Sequence, residues 1–170
     1  MKYTSVVVDD KEHCLEVMRQ MEEEFKKGNE SFFIRVIEDE PSLVLRVHAV
    51  TILADLGSEA AIPALSLVLL HDPDPLVRHE AAFTMGQIGL TSAVKALEAA
   101  TTKDKDPIVR HESAAALGSI GSQTARKTLE AALKDKDELV SNSAAASLFN
   151  LEFLRTYSVG ATARDRMPRP

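Results

Sequence analysis

The stretch PLVRHEAAFTMGQIG, residues 75–89, returns as PIVRHESAAALGSIG, residues 107–121, 32 residues later. The two agree at Pro, Val-Arg-His-Glu, Ala, Gly, Ile and Gly. Self-similarity at a fixed period constrains a chain more than its composition does, because each unit must be one supersecondary element stacked on the next. The register extends both ways. SLVLRVHAVTILADLG (42–57) aligns without a gap, and DELVSNSAAASLFNLE (137–152) follows one residue early. Between these segments lie SEAAIPALSLVLLHD, TSAVKALEAATTKD and SQTARKTLEAALKDKD, so each unit reads as helix, Gly-containing turn, helix, Asp-rich turn.

Local signals agree with this reading. Asp74 and Asp106 suit helix N-caps, and Pro75 and Pro107 then fall at the first helical position, where no N–H is required. Gly89 and Gly121 fall where a left-handed C-cap is needed. Val77, Ala81, Met85 and Ile88 mark the core stripe of one helix, and Val109, Ser113, Leu117 and Ile120 mark that of the next. Ala and Leu dominate the apolar residues while aromatics are 5% and Trp is absent, which favours close helix packing over a sheet core. The expected fold is all-α: a HEAT-repeat-like solenoid of about four helical hairpins over 31–155. An N-terminal extension with a charged helix (1–30) precedes it, and a flexible Arg-rich tail (156–170) follows.

Other classes are excluded at this level. The net charge of −6 argues against a nucleic-acid partner. No apolar run approaches the length needed to span a membrane, and no secretory leader is recognisable at the start, so no membrane partner is expected. A single cysteine, Cys14, gives no disulfide framework and fits a reducing cytoplasm.

The His-Glu pair within the repeat is different, because neither residue helps a core. Phasing by the core stripe puts His79 and Glu80, and His111 and Glu112, on a flank of neighbouring helices. Gly86 and Gly118 lie seven residues after each histidine on that face, which suggests that room is wanted there. Adjacent helices would bring His79 and His111 within about 8–10 Å. Two imidazoles and a carboxylate match a facial iron centre, whereas the spacing is not the i, i+4 of a zinc-protease helix. A solvated charged face explains the same residues. The outer repeats carry Val47-His48 and Asn142-Ser143 instead, so the pair is confined to the middle units.

Repeats written VRHEAAFTMGQIG and VRHESAAALGSIG over residues 33–154 resemble one half of deoxyhypusine hydroxylase. That family joins two such halves around a di-iron centre and uses O2 to hydroxylate a deoxyhypusine side chain on translation factor 5A. The resemblance implies that His79, His111 and Glu112 bind one iron. It implies that Glu80, as catalytic and substrate-binding residue, holds the substrate amine, with Gly86 and Gly118 lining the space it enters. A single half implies a homodimer holding two non-heme irons, with a translation factor 5A-like protein as substrate. The other class of function is a non-catalytic interaction scaffold, since bilin-lyase-type HEAT proteins share VRxxAAxALGxIG motifs without needing His-Glu. His13, His48 and His71 recur at no equivalent position and read as ordinary surface residues.

Overall fold

The computed structural model describes residues 10–164, with side chains as far as residue 156. Among these all regular structure is helical: α1 Lys11–Lys26, α2 Glu30–Asp39, α3 Leu43–Leu56, α4 Ile62–His71, α5 Pro75–Ile88, α6 Val94–Lys103, α7 Pro107–Ile120, α8 Arg126–Ala132 and α9 Glu138–Arg164. The hairpins are α2–α3, α4–α5, α6–α7 and α8–α9. Within the stack α3, α5, α7 and α9 pack side by side as one layer, and α2, α4, α6 and α8 form the other. This is the expected solenoid, and no described helix is long and apolar enough to cross a membrane.

The start and stop signals act as their chemistry requires. The Asp74 carboxylate accepts from Leu76 N at 2.8 Å, and the Asp106 carboxylate from Ile108 N at 3.0 Å. Gly89 and Gly121 close their helices at φ 74° and 73°, a left-handed backbone that a side chain would strain. Val77, Ala81 and Met85 are fully buried, as are Val109, Ser113 and Leu117. The stripe that predicted these helices is the stripe that packs.

Helix α1 belongs to the same core as the repeats. Its Met21 is buried with Phe33, Ile37 and Leu45, and its Asp10 caps the first turn through Glu12 N. Helix α1 thus packs on α2 and α3, the first hairpin of the stack. At the other end α9 runs through Arg164, so the expected flexible tail begins inside a helix; residues 165–170 lie outside the described residues, as do residues 1–9.

A buried Arg–Asp ladder ties repeat to repeat. Arg46 pairs with Asp72 at 3.1 Å, Arg78 with Asp104 at 2.8 Å, and Arg110 with Asp135 at 2.7 Å. Each guanidinium reaches with Nε and Nη2 to both carboxylate oxygens, the planar fork that only Arg offers. Its Nη1 donates to carbonyls of the preceding turn, such as Asp72 O and Pro73 O for Arg78. Asp72 therefore serves two repeats: its carboxylate holds Arg46 and its carbonyl holds Arg78.

Candidate metal and substrate site

Burial of Val77, Ala81 and Met85 turns His79 and Glu80 outward on α5, and burial of Val109 and Leu117 does the same for His111 and Glu112 on α7. All four side chains are part-buried, between 15% and 25% exposed. Their heads meet. His79 Nε2 lies 3.3 Å from Glu112 Oε2, across the boundary between repeats. His111 Nε2 lies 3.8 Å from the same oxygen. His79 Nδ1 lies 3.3 Å from Glu80 Oε1, so this imidazole has a carboxylate at each nitrogen. Hydrogen bonding to Glu112 raises the His79 pKa above its ordinary value, against the opposing effect of burial, and the charges of Glu112 and Glu80 add to it.

His111 is held from the far side by the fourth repeat. Its Nδ1 stands 2.5 Å from Ser143 Oγ, and that hydroxyl donates to Leu139 O at 2.9 Å. Ser143 occupies the register position that Glu112 holds one repeat earlier. Alignment shows it only as the loss of a His-Glu pair, which is why sequence reasoning passed over it.

The glycines have a packing task. A Cβ on Gly86 would sit 3.0 Å from the Cα and Cβ of Ala116, and one on Gly118 would overlap Ser147, including its backbone Cα. The room is therefore filled by the neighbouring helix, and Gly118 is buried rather than lining an opening. Gly86, by contrast, is only half-buried beside Ala116. Close approach of α5 to α7, and of α7 to α9, is what lets side chains from successive repeats touch. Ser147 Oγ donates to Ala114 O at 2.8 Å, and Asn150 donates to Gly118 O at 2.8 Å, on the same seam.

Among the described residues, no group of three or more His, Cys, Asp or Glu is gathered to hold a metal ion as the side chains stand. The donor set nonetheless fits one. Donors bound at about 2.1 Å and at right angles stand roughly 3 Å apart, and Glu112 Oε2 already has the two imidazole nitrogens at 3.3 Å and 3.8 Å. Two neutral imidazoles and one carboxylate are ligands suited to a divalent first-row metal. The other histidines stand apart. His13 pairs with Glu40 at 3.1 Å, His48 is exposed, and His71 ends α4.

The comparisons agree with the fold. A family model described as HEAT repeats matches residues 29–118 and 62–149. Human deoxyhypusine hydroxylase, solved in complex with glycerol, superposes with a TM-score of 0.68 at 31% identity over 74% of this chain. The match spans 44% of the human chain, so the present chain corresponds to about half of that relative. A comparison with curated proteins finds no match.

Proposed function

The chain belongs to the HEAT-repeat family and is similar to one half of deoxyhypusine hydroxylase, and from that premise we propose an iron-binding, O2-dependent hydroxylase. Its site is completed by a second copy of the chain. The observation that carries this reading is the contact of His79 with Glu112 across the repeat boundary, reinforced by His111 on the same oxygen. Heads from two repeats meet while each stays part-buried, an arrangement that suits a ligand set.

In this reading His79, His111 and Glu112 hold one non-heme iron. Bound there, iron supplies the activation of O2 that no side chain of the protein can provide. The residues of the chain do the rest. Glu80 lies beside the ligand set and offers an anionic anchor to the amine of a deoxyhypusine-type side chain. It also accepts from His79 Nδ1, which keeps the opposite nitrogen aimed at the ligand position. His79 must shed its proton before it can bind a metal, so uptake strengthens as pH rises through its raised value.

A protein partner fits the same face. Val44, Leu76, Ile108 and Leu139 recur at the second position of α3, α5, α7 and α9, each close to half exposed, in a row beside the His-Glu positions. Such a row suits either a second copy or a translation factor 5A-like substrate more than a small molecule alone. Two copies related by a two-fold axis would face two half-sites and bring two irons into one centre.

Anaerobic reconstitution with Fe(II), followed by elemental analysis and an absorption spectrum, tests the reading. We expect bound iron in the wild type, and loss of most of it in His79→Ala and His111→Ala with helical content retained. Protein that takes up no iron would leave the interaction scaffold as the better account. Light scattering of the iron-loaded protein should give a dimer; a strict monomer at micromolar concentration would rule out the shared centre.

A further inference from the structure

We propose that Ser143 is a positioning residue that fixes which nitrogen of His111 faces the ligand position. The inference rests on the reading of His111 as a metal ligand. A serine hydroxyl carries a single proton. Ser143 directs it to Leu139 O at 2.9 Å, one helical turn back, which leaves only lone pairs toward His111 Nδ1 at 2.5 Å. The imidazole must then bring the proton to that contact. A neutral imidazole has one N–H, so the bond to Ser143 places it on Nδ1 and leaves a lone pair on Nε2.

That lone pair is on the side of Glu112, whose Oε2 lies 3.8 Å from Nε2. With the proton on Nδ1, nothing among the described residues links these two electron-rich atoms. A cation between them would turn both into ligands. The other histidine is held by a different partner: Glu80 takes His79 Nδ1, and Glu112 faces its Nε2. Each ligand histidine thus has an acceptor behind its Nδ1, a carboxylate for His79 and a hydroxyl for His111. The hydroxyl orients its ring without adding charge to the site.

The register of the repeats explains how Ser143 comes to be there. Glu112 reaches back one repeat to His79, and Ser143, at the equivalent position, reaches back one repeat to His111. The fourth repeat is therefore part of the site although it carries no His-Glu pair. Its helix is brought close enough by the Gly118–Ser147 seam.

The test uses the full chain with 15N-labelled histidine and no metal, at about pH 8, above the ordinary imidazole range. His111 is assigned by the signal missing from His111→Gln, and its two ring nitrogens are read by long-range proton–nitrogen correlation. We expect the Nδ1–H form in the wild type and in Ser143→Thr, which keeps a hydroxyl able to bond the same carbonyl. Ser143→Ala should shift His111 toward the Nε2–H form while the His79 signals stay in place. Anaerobic titration with Fe(II) should show Ser143→Ala weaker by about 10- to 100-fold, with Ser143→Thr near wild type. An unchanged Nδ1–H signal in Ser143→Ala, or an unchanged Fe(II) affinity, overturns the proposal. Wild-type protein that binds no Fe(II) defeats the iron reading by itself, and the tautomer signals then still decide whether Ser143 orients His111.

Discussion

His79 stands nearer to the glutamate of the next repeat than that repeat's own histidine does: Glu112 Oε2 is 3.3 Å from His79 Nε2 and 3.8 Å from His111 Nε2. The candidate site is thus a property of how two repeats stack, not of either repeat. Its geometry depends on the distance between α5, α7 and α9, and that distance is set where side chains are smallest.

Gly118 is the sharpest case. Alanine in a helix interior is favoured over glycine by roughly 1 kcal/mol, so in isolation Gly118→Ala should stabilise α7. The added methyl would overlap the Cα, Cβ and Oγ of Ser147. Backbone atoms cannot step aside as a flexible side chain can, and overpacking typically costs about 1–3 kcal/mol. We expect Gly118→Ala to lower the urea midpoint. A midpoint at or above the wild-type value would show that the seam has slack.

Ser113 points the other way. It lies fully buried on the core stripe of α7, where the preceding repeat has Ala81, and its hydroxyl has no hydrogen-bond partner among the described residues. A buried unpaired hydroxyl costs about 1–3 kcal/mol. Ser113→Ala should therefore raise stability by about 1 kcal/mol, or roughly 2–4 °C in Tm for a chain of this size. A lower Tm would mean that the hydroxyl does have a partner in solution, such as a buried water.

The sequence carried the period, the caps and the core stripe, because these depend on neighbours a few residues away. It also carried the His-Glu row, since the 3.6-residue repeat phases that row against the stripe. It did not carry what happens between repeats. Arg46, Arg78 and Arg110 recur in plain view, and so do Asp72, Asp104 and Asp135 in the turns, yet pairing them requires knowing that each of these helix starts lies against the turn inside the next hairpin. The packing task of the glycines was hidden for the same reason. A small residue on a helix marks space, and only the packing partner says whether a substrate or a second helix fills it. Ser143 was hidden because a hydroxyl at a site position looks like a loss until its hydrogen bonds are seen.

The third rung of the ladder makes a pH prediction. The hydrogen bond from Arg110 lowers the Asp135 pKa below the ordinary carboxylate value, against a smaller opposing effect of burial. A carboxylate depressed in the folded state stabilises fully above its unfolded pKa, near 3.9, and that contribution fades as pH falls toward the folded value. Asp135→Asn should therefore unfold more readily at neutral pH, since Arg110, itself only slightly exposed, loses its counter-charge. It should also show a shallower loss of stability below about pH 4 than the wild type. Urea midpoints across that range check both parts, and parallel acid limbs for the two proteins would show that Asp135 contributes no linkage.

The last prediction separates the two glutamates. They sit at equivalent register positions, but their surroundings differ: Glu112 has an imidazole from each of two repeats, whereas among the described residues Glu80 pairs with His79 alone, through Nδ1. If the three-residue ligand set is right, Glu112→Gln removes the only anionic ligand and should abolish most Fe(II) binding. Glu80→Gln leaves all three ligands in place and keeps an acceptor near His79 Nδ1. Its Fe(II) affinity should fall by no more than about 10-fold, the lower end of what losing an orienting partner costs. The charge beside the iron is gone, however, so an alkyl diamine with the shape and charge of a deoxyhypusine side chain should bind the iron-loaded Glu80→Gln protein more weakly than the wild type. Fe(II) titration followed by calorimetry with the amine measures the two effects separately. Equal loss of iron in both variants would sink this division of roles, and so would full amine affinity without the Glu80 carboxylate.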